Sequence, residues 1–237
     1  MRSGFVALVG RPNAGKSTLL NQLVGTKLAI VSDKPQTTRN RIVGVRNLPA
    51  GQIAYFDTPG IHKPLKTLNA RMMEVSRAVL REVDVVTLVI DATAPEGAGD
   101  RYVRELVSTV RVPVVIALNK VDLMAKGDLL PRIAAIAERK LAADIVPISA
   151  ATGENVDRLQ EVLLSHLPEG QPLFPDDYLT DQPERFFAAE LVREQVLRHT
   201  HAELPFSTAV VVDQFGEPDA PGGLMRLHCS ILVERAT

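Results

Sequence analysis

Phe5-Val-Ala-Leu-Val-Gly-Arg-Pro-Asn-Ala-Gly-Lys-Ser-Thr18 sets an apolar run, a glycine-bearing loop and the start of a helix in direct succession. Phe5 to Val9 reads as a strand buried on both faces, and Lys16 to Val24 carries helical spacing. Between them, Gly10 to Ser17 fits the GxxxxGKS phosphate cradle. Its glycines let main-chain amides converge on phosphate oxygens while the next helix presents its positive end. Lys16 supplies a cation for the β and γ phosphates, and the Ser17 hydroxyl suits Mg2+. The nucleotide-binding run is Gly10, Arg11, Pro12, Asn13, Ala14, Gly15, Lys16, Ser17 and Thr18. A bare turn is the alternative, and the strand before and helix after it argue against that.

Working outward, Val/Ile/Leu-rich runs recur at Ile53 to Phe56, Val83 to Ile90, Val114 to Leu118 and Ile145 to Ile148. Helical spacing recurs at Leu68 to Arg81, Asp100 to Val107, Leu129 to Leu141 and Val156 to Leu167. Strand alternating with helix predicts an α/β fold: a mainly parallel sheet of the P-loop type with helices on both faces. Ligands bind such sheets beyond the carboxyl ends of the strands. Gly10, Asp57, Asn119 and Ser149 each directly follow a strand candidate there.

Asp57-Thr-Pro-Gly60 follows the second aligned strand. Asp57 can reach the Mg2+ shell through a bridging water, and the Gly60 amide can approach the γ phosphate unhindered. Thr58 and Pro59 complete that loop. Asn119-Lys-Val-Asp122 carries base choice. Guanine offers adjacent N1 and N2 donors to the Asp122 carboxylate, whereas adenine would leave it unpaired, a mismatch worth on the order of 10⁴ in comparable sites. Asn119 ties this loop to the phosphate loop, and the Lys120 stem covers the base. Ser149 and Ala150, in Ser-Ala-Ala-Thr-Gly, form a small-residue loop whose backbone touches the guanine edge. A simple turn is the competing reading of that last loop.

The chain has 237 residues and is 46% hydrophobic, enough for one substantial core and a smaller second unit. With 27 Lys plus Arg against 28 Asp plus Glu, no global positive field argues for nucleic acid. The single cysteine, Cys229, excludes an intramolecular disulfide and is expected as a buried strand thiol. No run approaches ~18 apolar residues, so no transmembrane segment is expected, and a cytoplasmic location fits. Pro168 to Pro175 is turn-rich, which divides the chain into residues 1–167, a linker at 168–182 and a small α+β unit at 183–237. That unit offers an amphipathic Pro183 to His199 and two strands, Phe206 to Phe215 and Leu224 to Glu234, joined by Gly216 to Gly223.

These motifs resemble the translation-factor-related regulatory GTPases, and within them the Era family, bacterial GTPases of small-subunit maturation. The resemblance rests on Gly10 to Ser17, Pro35-Gln-Thr-Thr-Arg39, Asp57 to Gly60, Asn119 to Asp122 and Ile145-Val-Pro-Ile-Ser-Ala150 with Thr152-Gly153. Outside the nucleotide loops it rests on Phe174-Pro-Asp-Asp-Tyr-Leu-Thr-Asp181 and Arg185-Phe-Phe-Ala-Ala-Glu190. It covers nearly the whole chain. It implies GTP and GDP as ligands, Mg2+ held through Ser17, Thr38 and Asp57, and partners in the small (30S) ribosomal subunit and 16S rRNA. It also implies peripheral association with the inner face of the membrane.

Residues alone do not choose between Thr37 and Thr38 as the switch threonine, and the resemblance selects Thr38. It groups Lys16, Thr38, Gly60 and Asn13 as the catalytic set, with Asn13 the ligand of an assisting K+. Ile61 stands where many GTPases carry a water-orienting glutamine, which implies slow intrinsic turnover. His62 reads as an exposed loop histidine in preference to a general base. The family's KH-type RNA-binding domain has a GxxG loop that grips the nucleic-acid backbone. No GxxG occurs from Glu184 onward, where five arginines and no lysine face eight acidic residues. The expectation is an incomplete KH-type unit and weak rRNA binding by this form. Two other readings stay open: a nucleotide-dependent binding module with negligible turnover, and a sibling GTPase of tRNA modification.

Overall fold

The computed structural model describes residues 1–34, 37–61, 67–200, 208–216 and 223–233. Its apolar runs line up as β1 (Arg2–Val9), β2 (Ile42–Leu48), β3 (Gly51–Asp57), β4 (Val85–Asp91), β5 (Val114–Asn119) and β6 (Asp144–Pro147). They form one sheet in the order β2-β3-β1-β4-β5-β6, with every neighbouring pair parallel except β2 and β3.

Strand alternation divides the apolar side chains between two cores. Val6, Leu8, Ile53 and Tyr55 face one side and pack with Leu19, Leu23, Leu159 and Leu163 of α1 (Lys16–Val24) and α5 (Val156–His166). Ala7, Val9, Ala54 and Phe56 face the other. There they meet Met73, Val79, Val103, Val107 and Ile136 of α2 (Thr67–Val79), α3 (Ala98–Val107) and α4 (Lys126–Ala137). Each fully buried Leu or Val contributes about 1.5–3 kcal/mol relative to exposure, so both layers are held by ordinary apolar burial. The consequence is positional: the loops after β1, β3, β5 and β6 emerge along one edge.

Apolar runs do not mark β2 as a strand, and its sequence shows why. Gly44, Arg46 and Asn47 interrupt the run, as suits an antiparallel strand beyond the doubly covered centre of the sheet. Its outer side is not left bare. The Val45 amide donates to the Leu179 carbonyl at 2.9 Å, and the Val43 amide to Asp181 Oδ1 at 3.3 Å.

Residues 173–182, within the expected linker, therefore run as a strap along the sheet edge, which blunts it. Gln52 anchors the strap. Fully buried, it accepts from the amides of Leu173 and Phe174 at 2.7 and 2.9 Å and donates to the Phe174 carbonyl at 2.9 Å. The Phe174 ring stacks on Tyr178, with centroids 4.7 Å apart, and meets Phe5 edge-on.

Past the strap come α6 (Glu184–His199), β7 (Thr208–Gly216) and β8 (Arg226–Val233), the last two forming an antiparallel ribbon. A two-stranded ribbon is marginal alone. Here α6 packs on β7, with Leu197 and Val212 buried. Cys229 is only partly buried, a correction to the expected buried thiol, because among the described residues nothing covers the second face of β8. Pro35, Gln36 and His62 lie outside the described residues, as does most of the connection between β7 and β8.

Candidate functional site

The phosphate loop turns sharply where the backbone enters the left-handed region. Gly15, at φ 95°, caps α1 without a side chain, and a Cβ there would lie 2.2 Å from Asn119 Nδ2. Only glycine satisfies both demands. Asn13 adopts φ 61°, tolerable for asparagine, and its Nδ2 donates to the Asp33 carbonyl at 2.6 Å. Lys16 is buried, and its Nζ donates to the carbonyls of Gly10 and Arg11 at 3.1 and 2.9 Å. Burial pushes its pKa down to about 8 against the opposing pull of Asp57.

A knot of oxygens sits at the start of α1. Ser17 Oγ lies 2.7 Å from both Thr38 Oγ1 and Asp57 Oδ2, and Thr38 Oγ1 lies 3.3 Å from Asp57 Oδ2. Asp57 is wholly buried, and its Oδ1 has no hydrogen-bond partner. Burial raises its pKa, offset in part by Lys16, by the Ser17 and Thr38 hydroxyls and by the Thr58 amide. An orphaned carboxylate oxygen beside two hydroxyls is a donor set that fits a hard divalent cation such as Mg2+. Thr37 is turned elsewhere, with Oγ1 donating to the Lys34 carbonyl at 2.6 Å. The structure thus brings Thr38, not Thr37, to Ser17 and Asp57.

Thr58 and Pro59 brace the loop. Thr58 Oγ1 donates to the Leu8 carbonyl at 2.8 Å, and the Pro59 carbonyl accepts from Ser76. Gly60 passes so close to the phosphate loop that a Cβ would fall 2.9 Å from Pro12. The Ile61 amide then donates to the Gly10 carbonyl at 3.0 Å while its side chain is fully buried. No side chain at position 61 reaches toward phosphate.

On the base side, Asn119 joins three loops. Its Nδ2 donates to the Ala14 carbonyl at 2.8 Å, and its Oδ1 accepts from the Ala150 amide at 2.9 Å. Within the small-residue loop expected at the guanine edge, the Ala150 amide is thus engaged by Asn119. Ser149 Oγ accepts from the Thr152 amide, which closes the small-residue turn. Asp122 is exposed within a single 3-10 turn, Val121–Leu123, free to face a ligand.

Asp91, at the end of β4, is a site residue that motif reading missed, since no motif spans it. Its Oδ2 accepts from Lys120 Nζ at 2.7 Å and lies 3.6 Å from Arg11 Nη2. Its Oδ1 accepts from the amide and hydroxyl of Thr93 at 3.0 and 2.6 Å. Burial acts to raise its pKa, but the bonds from Lys120 and Thr93 hold the carboxyl below its ordinary value. The only available signal was an aspartate ending the third aligned strand.

Pro12, Asn13, Gly15, Lys16, Ser17, Thr18, Thr37, Thr38 and Gly60 line one recess, together with Ile30, Val31 and Ser32. A second recess between α3 and α4 is lined by Leu88, Val103 and Ile116 together with the charged Glu96, Asp100, Arg104, Arg132 and Arg139, and shares only Arg11 with the phosphate loop.

Comparison with known proteins gives a consistent result. The family model described as 50S ribosome-binding GTPase matches residues 5–120. The GTPase Era of Geobacter metallireducens is 50% identical over 234 residues, covering 99% of this chain and 78% of the relative. That of Heliobacterium modesticaldum is 44% identical over 235 residues, with the same coverage of both chains. A crystal structure of Era with MgGDPNP and nucleotides 1506–1542 of 16S ribosomal RNA superposes with a TM-score of 0.93 at 41% identity, over 99% of this chain and 80% of that one. An Aquifex aeolicus Era variant bound to GDP and AlF4⁻ gives 0.90 at the same identity and coverage.

Proposed function

Because this chain belongs to the Era family of GTPases, we propose that it is a GTP-hydrolysing switch of small-ribosomal-subunit assembly with 16S rRNA as its macromolecular ligand. The observation that carries the reading is the buried oxygen knot of Ser17, Thr38 and Asp57, set beside Lys16. The relatives' identity favours this reading over tRNA modification or a binding module without turnover.

The residues divide the work. Lys16 exchanges the carbonyls of Gly10 and Arg11 for β and γ phosphate oxygens, and the amides of the first turn of α1 meet the remaining charge. Bound through Ser17 and Thr38, with Asp57 behind them, Mg2+ neutralises charge on the β and γ phosphates. Gly60 brings its amide to the γ phosphate, unobstructed because it has no side chain. Asp122 accepts from guanine N1 and N2, Lys120 lies along the base, and Ser149 and Ala150 bound its edge. Thr38 and Gly60 lie on segments that γ phosphate orders and hydrolysis releases, which alters the affinity for partners.

With Ile61 in the core, the attacking water is oriented by main-chain groups and the switch segment, so turnover without a partner is slow. Asn13, already in the left-handed region with its amide facing Asp33, is the residue offered to K+. The chain divides into a GTPase domain at 1–167, a linker at 168–182 that includes the strap, and a KH-type unit at 183–237. The protein acts in the cytoplasm and peripherally at the inner face of the membrane.

Single-turnover hydrolysis of GTP tests this, run in K+ and in Na+, with and without a 16S rRNA 3′ fragment. Slow Mg2+-dependent release of phosphate from GTP, faster in K+, is the expected result. Tight nucleotide retention with no phosphate release in any condition would overturn the enzyme reading, and equal rates in the two salts would remove Asn13 from it.

A further inference from the structure

Two loops that must grip opposite ends of a nucleotide share one carboxylate. Arg11, in the phosphate loop, and Lys120, in the guanine loop, both point their cations at Asp91 Oδ2. The β4–β5 register sets Asp91 opposite Asn119, and the Ala92 amide donates to the Asn119 carbonyl at 2.8 Å, so Asp91 is held one step from the base-side motif. Thr93 fixes the carboxylate's orientation through its amide and hydroxyl on Oδ1, which leaves Oδ2 for the two cations.

Lys120 needs such a hold. It sits at φ 70°, ψ 33°, in the left-handed region, a conformation that costs a non-glycine residue free energy unless its surroundings impose it. A long flexible stem also loses rotamer freedom when it is laid across a base. A charge-assisted bond at 2.7 Å to a nearly buried carboxylate, itself anchored to β4, supplies both restraints before nucleotide arrives. Arg11, half-exposed and also 3.5 Å from Asp100 at the start of α3, extends the same restraint to the phosphate loop.

Resting on the GTPase reading above, we propose that Asp91 is a positioning residue for guanine nucleotide: it pre-organises Lys120 over the base and ties the guanine loop to the phosphate loop. It touches neither nucleotide nor the reacting atoms. Its effect is therefore on how long the nucleotide stays, not on the chemical step.

Asp91→Asn tests this, because the amide keeps an oxygen for Thr93 but loses the charge that holds Lys120. Dissociation of a fluorescent GDP analogue is expected to accelerate about tenfold, with KM for GTP rising by a similar factor and kcat changing less than about twofold. Melting of the nucleotide-free protein stays within a few degrees of wild type. Lys120→Met keeps an apolar stem but removes the ammonium. It is expected to accelerate dissociation comparably, and the Asp91→Asn, Lys120→Met double variant to add little further. Wild-type dissociation rates in Asp91→Asn, or full additivity in the double variant, would overturn the proposal. A fall in kcat with unchanged dissociation would do the same. Should Asp91→Asn fail to fold, dissociation from Lys120→Met decides, since a wild-type rate there means that the tether does nothing. Failure of the wild-type chain to bind GDP at all would instead sink the GTPase reading.

Discussion

The Arg193 guanidinium on α6 donates to the main-chain carbonyl of Thr37, one residue before the hydroxyl that faces Ser17 and Asp57. The same guanidinium is paired with Glu190, and both residues lie on the part of the chain that follows the strap. Arg39 adds a second link to that region, with Nη1 donating to the Thr208 carbonyl of β7 at 2.8 Å. The segment carrying Thr38 is thereby held on one side by the nucleotide-site oxygens and on the other by α6 and β7.

Arg193→Ala leaves the Thr37 carbonyl and the Glu190 carboxylate without this partner. A loss of about 1–3 kcal/mol is expected in urea unfolding, with faster amide hydrogen exchange from Thr37 to Arg39. Unchanged exchange there would show that α6 does not hold the segment.

Glu194, buried beside Arg193, binds the same region from another direction. It accepts from Lys27 at 2.6 Å and from the Val31 amide at 3.1 Å. Burial acts to raise its pKa, but those bonds and the charges of Lys27 and Arg198 bring it below the ordinary glutamate value. A carboxyl lowered in this way contributes stability that is complete above its unfolded-state pKa and is lost as pH falls through the lowered folded value. Glu194→Gln should therefore be less stable than wild type at pH 7 by about 1–2 kcal/mol, and the gap should close under acid. Urea unfolding at a series of pH values reads it, and a gap that widens on acidification would contradict the sign.

Gly15→Ala places a methyl group on Asn119 Nδ2 and demands φ 95° of a residue with a Cβ. Nucleotide affinity should fall at least a hundredfold, because the phosphate loop and the Asn119 bond to Ala14 cannot both keep their geometry. Isothermal titration with GDP measures the loss, and near-wild-type binding would show that the loop relaxes freely.

Asp122→Asn exchanges an acceptor for a mixed donor and acceptor facing guanine N1 and N2. GTP affinity should drop by on the order of 10⁴, and xanthosine triphosphate, which carries an oxygen where guanine has its amino group, should bind better than GTP. Competition against labelled GDP separates the two bases, and an unchanged preference for guanine would remove Asp122 from base reading.

Local pattern carried much of this. The doubly buried runs from Phe5 to Val9 and from Val114 to Leu118, alternating with helical spacing, specified a mainly parallel α/β sheet because covered strands must be apolar on both faces. The glycine spacing before Lys16 and the aspartate three positions on from Asn119 located the loops after β1 and β5. Motif spacing works here because a phosphate and a guanine edge each impose fixed chemistry on a few neighbouring residues. β2 was not legible, since an edge strand broken by Gly44 and Arg46 lacks that signal and its amides are answered by Leu179 and Asp181, more than a hundred residues away.

By itself, then, the sequence determined the sheet class, the phosphate and guanine loops, and the resemblance to the Era family, all properties of contiguous residues. Tertiary structure alone decided that Asn119 also binds the Ala150 amide, that Asp91 gathers Lys120 and Arg11, and that α6 grips the Thr37 carbonyl, and it set the Thr38 hydroxyl, which the family resemblance had selected over Thr37, against Ser17 and Asp57. Each of those relationships joins residues distant along the chain through side chains a few ångströms apart. Such proximity is fixed by packing and register, which no local spacing encodes.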